Sequence, residues 1–302
     1  MANVNFLWSQ DGITMSKSKR ASRKEGYKIK SLPPLNSVAP YIMKTRGDAT
    51  NYISGSICIE GIEDYIFKKR NEGLNGFGLM HVVLAAYVRM LASHPELNRF
   101  IRGQRIYSRN CIEAMITIKR DMTVEAEETV LKLIFPPDAT AEDVYNIVNS
   151  EIDQYRSGVS DFDNTAKILN YIPGLFLKFT VWVLNLLDYF GLLPRKLTKL
   201  SPFHGSFAFT SMASLGIPPI YHHLYNFGNI PLFMSLGKKY TKLELQRDGS
   251  VIERRYADYK ITCDERICDG FTYASALKCL NTIVRNIEML DSPPEEIKKD
   301  ID

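Results

Sequence analysis

The chain has 302 residues, 45% of them hydrophobic and 24% charged, enough to bury one sizeable core in a domain of about 250 residues with tails. The net charge of +4 is mild, and no aromatic residue interleaves with the basic cluster from Lys17 to Lys24, so a nucleic-acid partner is not expected. Five cysteines without a framework of regular spacings exclude a disulfide scaffold and fit a reducing, cytoplasmic setting.

Residues 1–30 are polar and basic and read as a flexible N-terminal arm. The first fifteen residues lack the charged start and apolar core of a signal peptide. Pro33-Pro34 opens the folded domain, expected over 31–292. Asn51 to Glu60 alternates as a strand. Ile62 to Arg70 reads as a short helix. After the break at Asn75-Gly76, Phe77 to Ser93 is a strongly apolar helix stopped by Pro95. Arg105 to Tyr107 and Ala114 to Lys119 read as strands. Asp138 to Tyr155 is an amphipathic helix with acids in its first turn, where the helix dipole favours them.

Tyr171 to Leu193, within an apolar helical insert at 168–200, is the least ordinary segment. Its length approaches that of a bilayer span. Lys178 and Asp188 would then sit in hydrocarbon, and Pro173-Gly174 shortens the usable helix. Packing on this protein or a partner subunit is one reading. Peripheral membrane contact is another, supported by the basic run Arg195, Lys196 and Lys199.

Strands are expected at Ser206 to Thr210, Ile230 to Leu236, Leu243 to Gln246 and Tyr256 to Thr262. Asp248-Gly249 is a hairpin signal between two of them. A closing helix runs from Asp269 to Leu290, and Pro293-Pro294 leads into a tail, 293–302. Strands and helices without regular alternation indicate the α+β class with a mixed sheet.

The chemistry concentrates in Cys263-Asp264-Glu265-Arg266-Ile267-Cys268-Asp269-Gly270, a turn from a strand into a helix. It resembles the motif His-x-x-x-Asp-Gly, often within Asp-His-Arg-x-x-Asp-Gly, of the chloramphenicol acetyltransferase and dihydrolipoyl acyltransferase superfamily. Asp264, Arg266, Asp269 and Gly270 match, and Glu265 stands at the histidine position. Three further segments resemble that family in order. They are Ser93-His94-Pro95-Glu96-Leu97-Asn98, Phe209-Thr210-Ser211 with Ser214-Leu215-Gly216, and Met234 to Lys238. The insert departs from its better-known members.

The resemblance implies a chloramphenicol-acetyltransferase-like mixed-sheet fold and a homotrimer with active sites between subunits. It implies coenzyme A as a substrate entering from one side and an acyl acceptor from the other. A histidine serves there as general base and a Ser or Thr hydroxyl steadies the oxyanion. Carried to this chain, Ser211 is the oxyanion candidate, with Thr210 and Ser214 as rivals. Asp269 is the organiser of the site or a helix cap. Arg46 is its candidate partner, against a plain surface arginine.

Glu265 reads as a base or as a structural carboxylate. An ordinary carboxylate takes a thiol proton less well than imidazole by about two pK units, a gap that burial can close. His222 and His223 offer replacement imidazoles. Adjacent residues on a strand face opposite ways, and no histidine or cysteine has metal-ligand spacing, so no metal is expected. Nucleotide-binding glycine loops, the nucleophile elbow and the His-Glu-x-x-His zinc motif are absent from the sequence.

No lipoyl or subunit-binding module is recognisable. The expectation is a free-standing coenzyme A-dependent acyltransferase acting on a small or lipid-like acceptor. The alternative is a catalytically inactive scaffold or binding subunit of the same fold.

Overall fold

The computed structural model describes residues 22–23, 25–119, 128–157, 171 and 173–302. Most of the basic arm and the first residues of the insert lie outside them. Ten strands organise the described residues into two sheets. The main sheet holds β3 (Thr50–Cys58), β6 (Ile112–Lys119), β7 (Glu128–Phe135), β8 (Phe207–Ser211), β9 (Leu232–Leu245) and β10 (Val251–Asp264), in the order β3-β10-β9-β8-β6-β7. β8 runs parallel to β6 and β9, and the other pairings are antiparallel. A smaller sheet orders β1 (Ser22–Arg23), β2 (Gly26–Lys28), β5 (Arg105–Arg109) and β4 (Arg99–Arg102).

The period of two along each strand decides what the main sheet buries. Phe207, Phe209, Leu232, Met234 and Leu236 share the principal core with α2 (Glu60–Asn71), α3 (Leu79–Ser93), α4 (Ala141–Ser157) and α7 (Gly270–Arg285). Their neighbours Ala208 and Phe233 belong to a separate small cluster with Met115 and Ile230 on the other face. α1 (Pro34–Ile42), α5 (Gly174–Phe190) and α6 (Arg195–Leu200) lie outside the principal core.

The expected strands at 230–236 and 243–246 are one 14-residue strand. It returns through the predicted Asp248-Gly249 turn, where Gly249 has φ +86° and Asp248 accepts from Ser250. The arm ends sooner than composition suggests. Gly26–Lys28 pairs with β5 and Ile29 is buried. Three residues are too few to show a period, so only the partner strand defines this one. The segment 293–302 is likewise tied down, because the Asp300 side chain is buried in a two-pronged ion pair with Arg99 (2.8 and 2.5 Å).

Between α3, α7 and strands β3 and β10 the core leaves an apolar cavity of about 90 Å³, bordered by Leu79, Val83, Ile57, Leu277 and Leu280. At the start of α3, the backbone N–H of Gly78 donates to His81 Nδ1 (3.0 Å) and the ring stacks on Phe77. A lone pair must stay on that nitrogen, and burial pushes His81 down to about 4.

Stability should therefore fall as pH drops from about 6.5 to about 4. In that window the unfolded chain binds a proton that folded His81 refuses, a difference of up to about 3 kcal/mol. His204, also pushed down by burial, adds to the slope. His81→Gln keeps an acceptor for Gly78 without titrating, and urea midpoints across the window should show a flatter dependence for it.

Candidate active site

β10 ends at Asp264 and the chain turns through Glu265 to Cys268 before Asp269 starts α7. The Asp264 carboxylate is buried. Arg266 donates to both of its oxygens (Nε 2.8 Å, Nη2 2.7 Å). Arg46 Nε lies 3.9 Å from Oδ2, the oxygen that Arg266 Nη2 binds. Arg266 also donates to the carbonyl of Met43 (2.9 Å), and the Tyr273 hydroxyl donates to the backbone carbonyl of Asp264 (3.0 Å). Burial pulls the Arg46 guanidinium down to about 10, partly offset by Asp264, so it stays charged at neutral pH.

This arrangement corrects two expectations. Arg46 is neither a surface residue nor the partner of Asp269; it is buried beside Asp264. Asp269 is exposed and caps α7, accepting from Thr272 N–H at 2.8 Å. That bond holds its carboxyl below the usual carboxylate range. The physical reason is position: Asp264 is the last residue of the strand and faces inward, whereas Asp269 follows the turn and meets solvent.

Arg46 also organises the histidine segment. It donates to the carbonyls of Tyr225 (2.5 Å), Asn226 (3.2 Å) and Gly228, and its own N–H donates to Asn226 Oδ1 (3.0 Å). Ser235 brackets Ile220 from β9, bonding both its N–H and its carbonyl. Between these anchors His222 lies flat on Phe233, with ring centroids 4.0 Å apart and planes 8° apart. His222 Nδ1 sits 2.9 Å from the carbonyl oxygen of His223. A carbonyl only accepts, so Nδ1 carries the proton and Nε2 the lone pair. Burial lowers the His222 pKa, which favours this neutral form.

Glu265 is exposed, and its carboxylate accepts from Asn51 Nδ2 at 2.8 Å. His223 is exposed and stacks loosely on His222. Thr262 was not expected to matter. It pairs with both Phe233 and Tyr52 across the sheet and is fully buried, with no hydrogen-bond partner for its hydroxyl.

Sheet register sets the spacing of the candidates. Phe233, under His222, pairs with Thr262, three residues before Glu265. His222 therefore sits about 10 Å along the sheet from the level of Glu265. Ser211 pairs with Leu236, which pairs with Tyr259. Six residues separate Tyr259 from Glu265, about 20 Å at a strand's rise per residue. Thr210 and Ser214 flank Ser211. Within one chain Ser211 and Glu265 do not meet, and His222 sits at a level between them, about 10 Å along the sheet from each.

No family model and no curated protein matches the sequence. Solved structures match the shape. A probable dihydrolipoamide acetyltransferase from Listeria monocytogenes 4b F2365 aligns over 85% of this chain and 95% of its own, at 15% identity and a TM-score of 0.54. A truncated catalytic core of the 2-oxoacid dehydrogenase multienzyme complex from Thermoplasma acidophilum aligns over 86% and 98%, at 12% identity and a TM-score of 0.50. The chain has the chloramphenicol-acetyltransferase-like acyltransferase fold. At such identities the likeness concerns the fold alone.

In this acyltransferase fold the apolar cavity is a poor place for a coenzyme diphosphate, because none of its lining residues is a cation. It lies on the helix side of the sheet, whereas Phe233 and His222 lie on the other.

The Asp264 cluster is open to a direct test. Asp264→Asn keeps the shape but leaves two buried guanidinium groups without a counter-charge. The expected loss is about 3–5 kcal/mol, read from urea midpoints against the unaltered chain.

Proposed function

We propose that this chain is a coenzyme A-dependent acyltransferase that moves an acyl group between coenzyme A and a small or lipid-like acceptor. Its working site is shared between copies of a homotrimer: one copy supplies His222 and its neighbour supplies Ser211. The observation that carries this reading is the neutral His222, its Nδ1 tied to a carbonyl and its Nε2 free to accept, seated on Phe233 at a level between the motif turn and Ser211, about 10 Å along the sheet from each.

In the acyl-transfer direction, His222 Nε2 takes the proton from an acceptor hydroxyl or thiol. The acceptor oxygen or sulfur bonds to the thioester carbonyl carbon. The resulting oxyanion accepts a hydrogen bond from the Ser211 hydroxyl. Collapse breaks the carbon–sulfur bond, and the coenzyme thiolate leaves with the proton that His222 held. Glu265 flanks the reacting groups as a fixed negative charge, held by Asn51. Asp269 acts through the helix it caps.

A second reading has its own support. Glu265 occupies the position of the family's histidine and is exposed in the single chain, which suits a binding subunit that has lost turnover. Release of thiol from acetyl- and longer acyl-coenzyme A, followed with a thiol-trapping reagent across an acceptor panel, separates the two. Turnover should drop roughly 10²–10⁴-fold in His222→Ala and roughly 10²–10³-fold in Ser211→Ala. Glu265→Gln and His223→Ala should retain most of it. The rate should rise with pH and level off around a midpoint below the ordinary histidine value of about 6.5. Co-expressed Ser211→Ala and His222→Ala chains should regain activity that neither has alone. Coenzyme A binding with no turnover in any preparation would favour the binding subunit. Loss in Glu265→Gln alone would move the base to Glu265.

A further inference from the structure

α5 is built inside out. An ordinary surface helix buries an apolar stripe and exposes its charges. Here the only buried side chain is Asp188, while Leu175, Phe176, Phe179, Trp182, Phe190 and Leu192 stand 55–85% exposed. Polar contacts near its C-terminal end hold the helix down. Asp188 pairs with Arg102 (3.0 Å) and His204 (3.3 Å), and the Tyr189 hydroxyl bonds Gln104 (3.0 Å). The apolar surface is left without a cover among the described residues. An exposed patch of this kind marks a site of protein or membrane contact.

Charge decides between the two. Asp188 is the sole acid from 171 to 200, and it is buried against Arg102 and His204. The exposed charges of the segment are Lys178, Arg195, Lys196 and Lys199, all positive. A surface that is apolar, aromatic and cationic without a single exposed carboxylate complements an anionic lipid headgroup layer over a hydrocarbon floor. The helix has 17 residues, about 25 Å long and short of a hydrocarbon span. No helix among the described residues is long and apolar enough to cross a membrane. We infer that α5 and the start of α6 form a membrane-surface dock that lies in the headgroup region of an anionic bilayer, with Phe179 and Trp182 inserted and Arg195, Lys196 and Lys199 against the headgroups. The dock is independent of acyl transfer and serves the catalytic and the binding-subunit readings equally.

The test uses the full chain with phosphatidylcholine vesicles, with and without phosphatidylserine. The protein should float with the phosphatidylserine vesicles and bind those without it far more weakly. Added salt should weaken binding. Phe179→Ser with Trp182→Ser should abolish flotation while leaving the circular dichroism of the chain unchanged, since both side chains are exposed. Arg195→Gln, Lys196→Gln and Lys199→Gln should each weaken binding about fivefold. A second readout keeps the native dock: Trp8→Phe leaves Trp182 as the one tryptophan, and its emission should shift to the blue on adding anionic vesicles. Absence of flotation with both vesicle types, or flotation indifferent to all these variants, overturns the inference. So does Trp182 emission already blue-shifted without vesicles in an oligomer that Phe179→Ser and Trp182→Ser take apart, which would make α5 a subunit contact.

Discussion

The site rests on one buried carboxylate. Asp264 is held by two prongs of Arg266 and by the approach of Arg46, and each arginine reaches onward to backbone carbonyls of other segments. Through Arg266 it holds the loop at Met43. Through Arg46 it holds the carbonyls of Tyr225, Asn226 and Gly228, and so fixes the segment that carries His222 and His223. A buried pair of this kind is weak evidence of net stability, because desolvating the charges costs much of what their attraction returns. Its effect here is positional. Two like charges converge on one acid, and an alternative packing would leave a guanidinium without a partner.

The direction of the strands adds a second constraint. β8 and β10 run antiparallel within one sheet; Ser211 ends β8 at the level of Tyr259, and the motif turn that follows β10 carries Glu265 about 20 Å further along. No side-chain rearrangement closes a gap of about 20 Å. A chemistry that paired Ser211 directly with Glu265 would need a second chain.

α5 shows the same logic at the periphery. The Asp188 carboxylate, a group a surface helix normally offers to water, turns inward to Arg102 and His204. The phenylalanines and Trp182 turn outward. Asp188 favours that rotation, because burying it unpaired would be costly, and the Tyr189 hydroxyl on Gln104 holds the same end.

Periodicity and turn chemistry along the chain were sufficient for the α+β class, the long helices α3, α4 and α7, the Asp248-Gly249 hairpin and the motif turn at Gly270. The order of short motifs pointed to the acyltransferase fold. These signals lie within about 20 consecutive residues, where φ/ψ preference and the two repeat periods act. Tertiary structure alone decided the rest. Arg46 finds its acid 218 positions away, Asp300 finds Arg99 at a separation of 201, and strand β2 exists only because β5 pairs with it. Glu265 and His222 could be named as bases from residue type, but the tautomer of His222 depends on a carbonyl whose direction the loop sets. Which level of the sheet each candidate occupies follows from register and strand direction, and these arise from pairing between distant segments, for which a single chain's local pattern carries no signal.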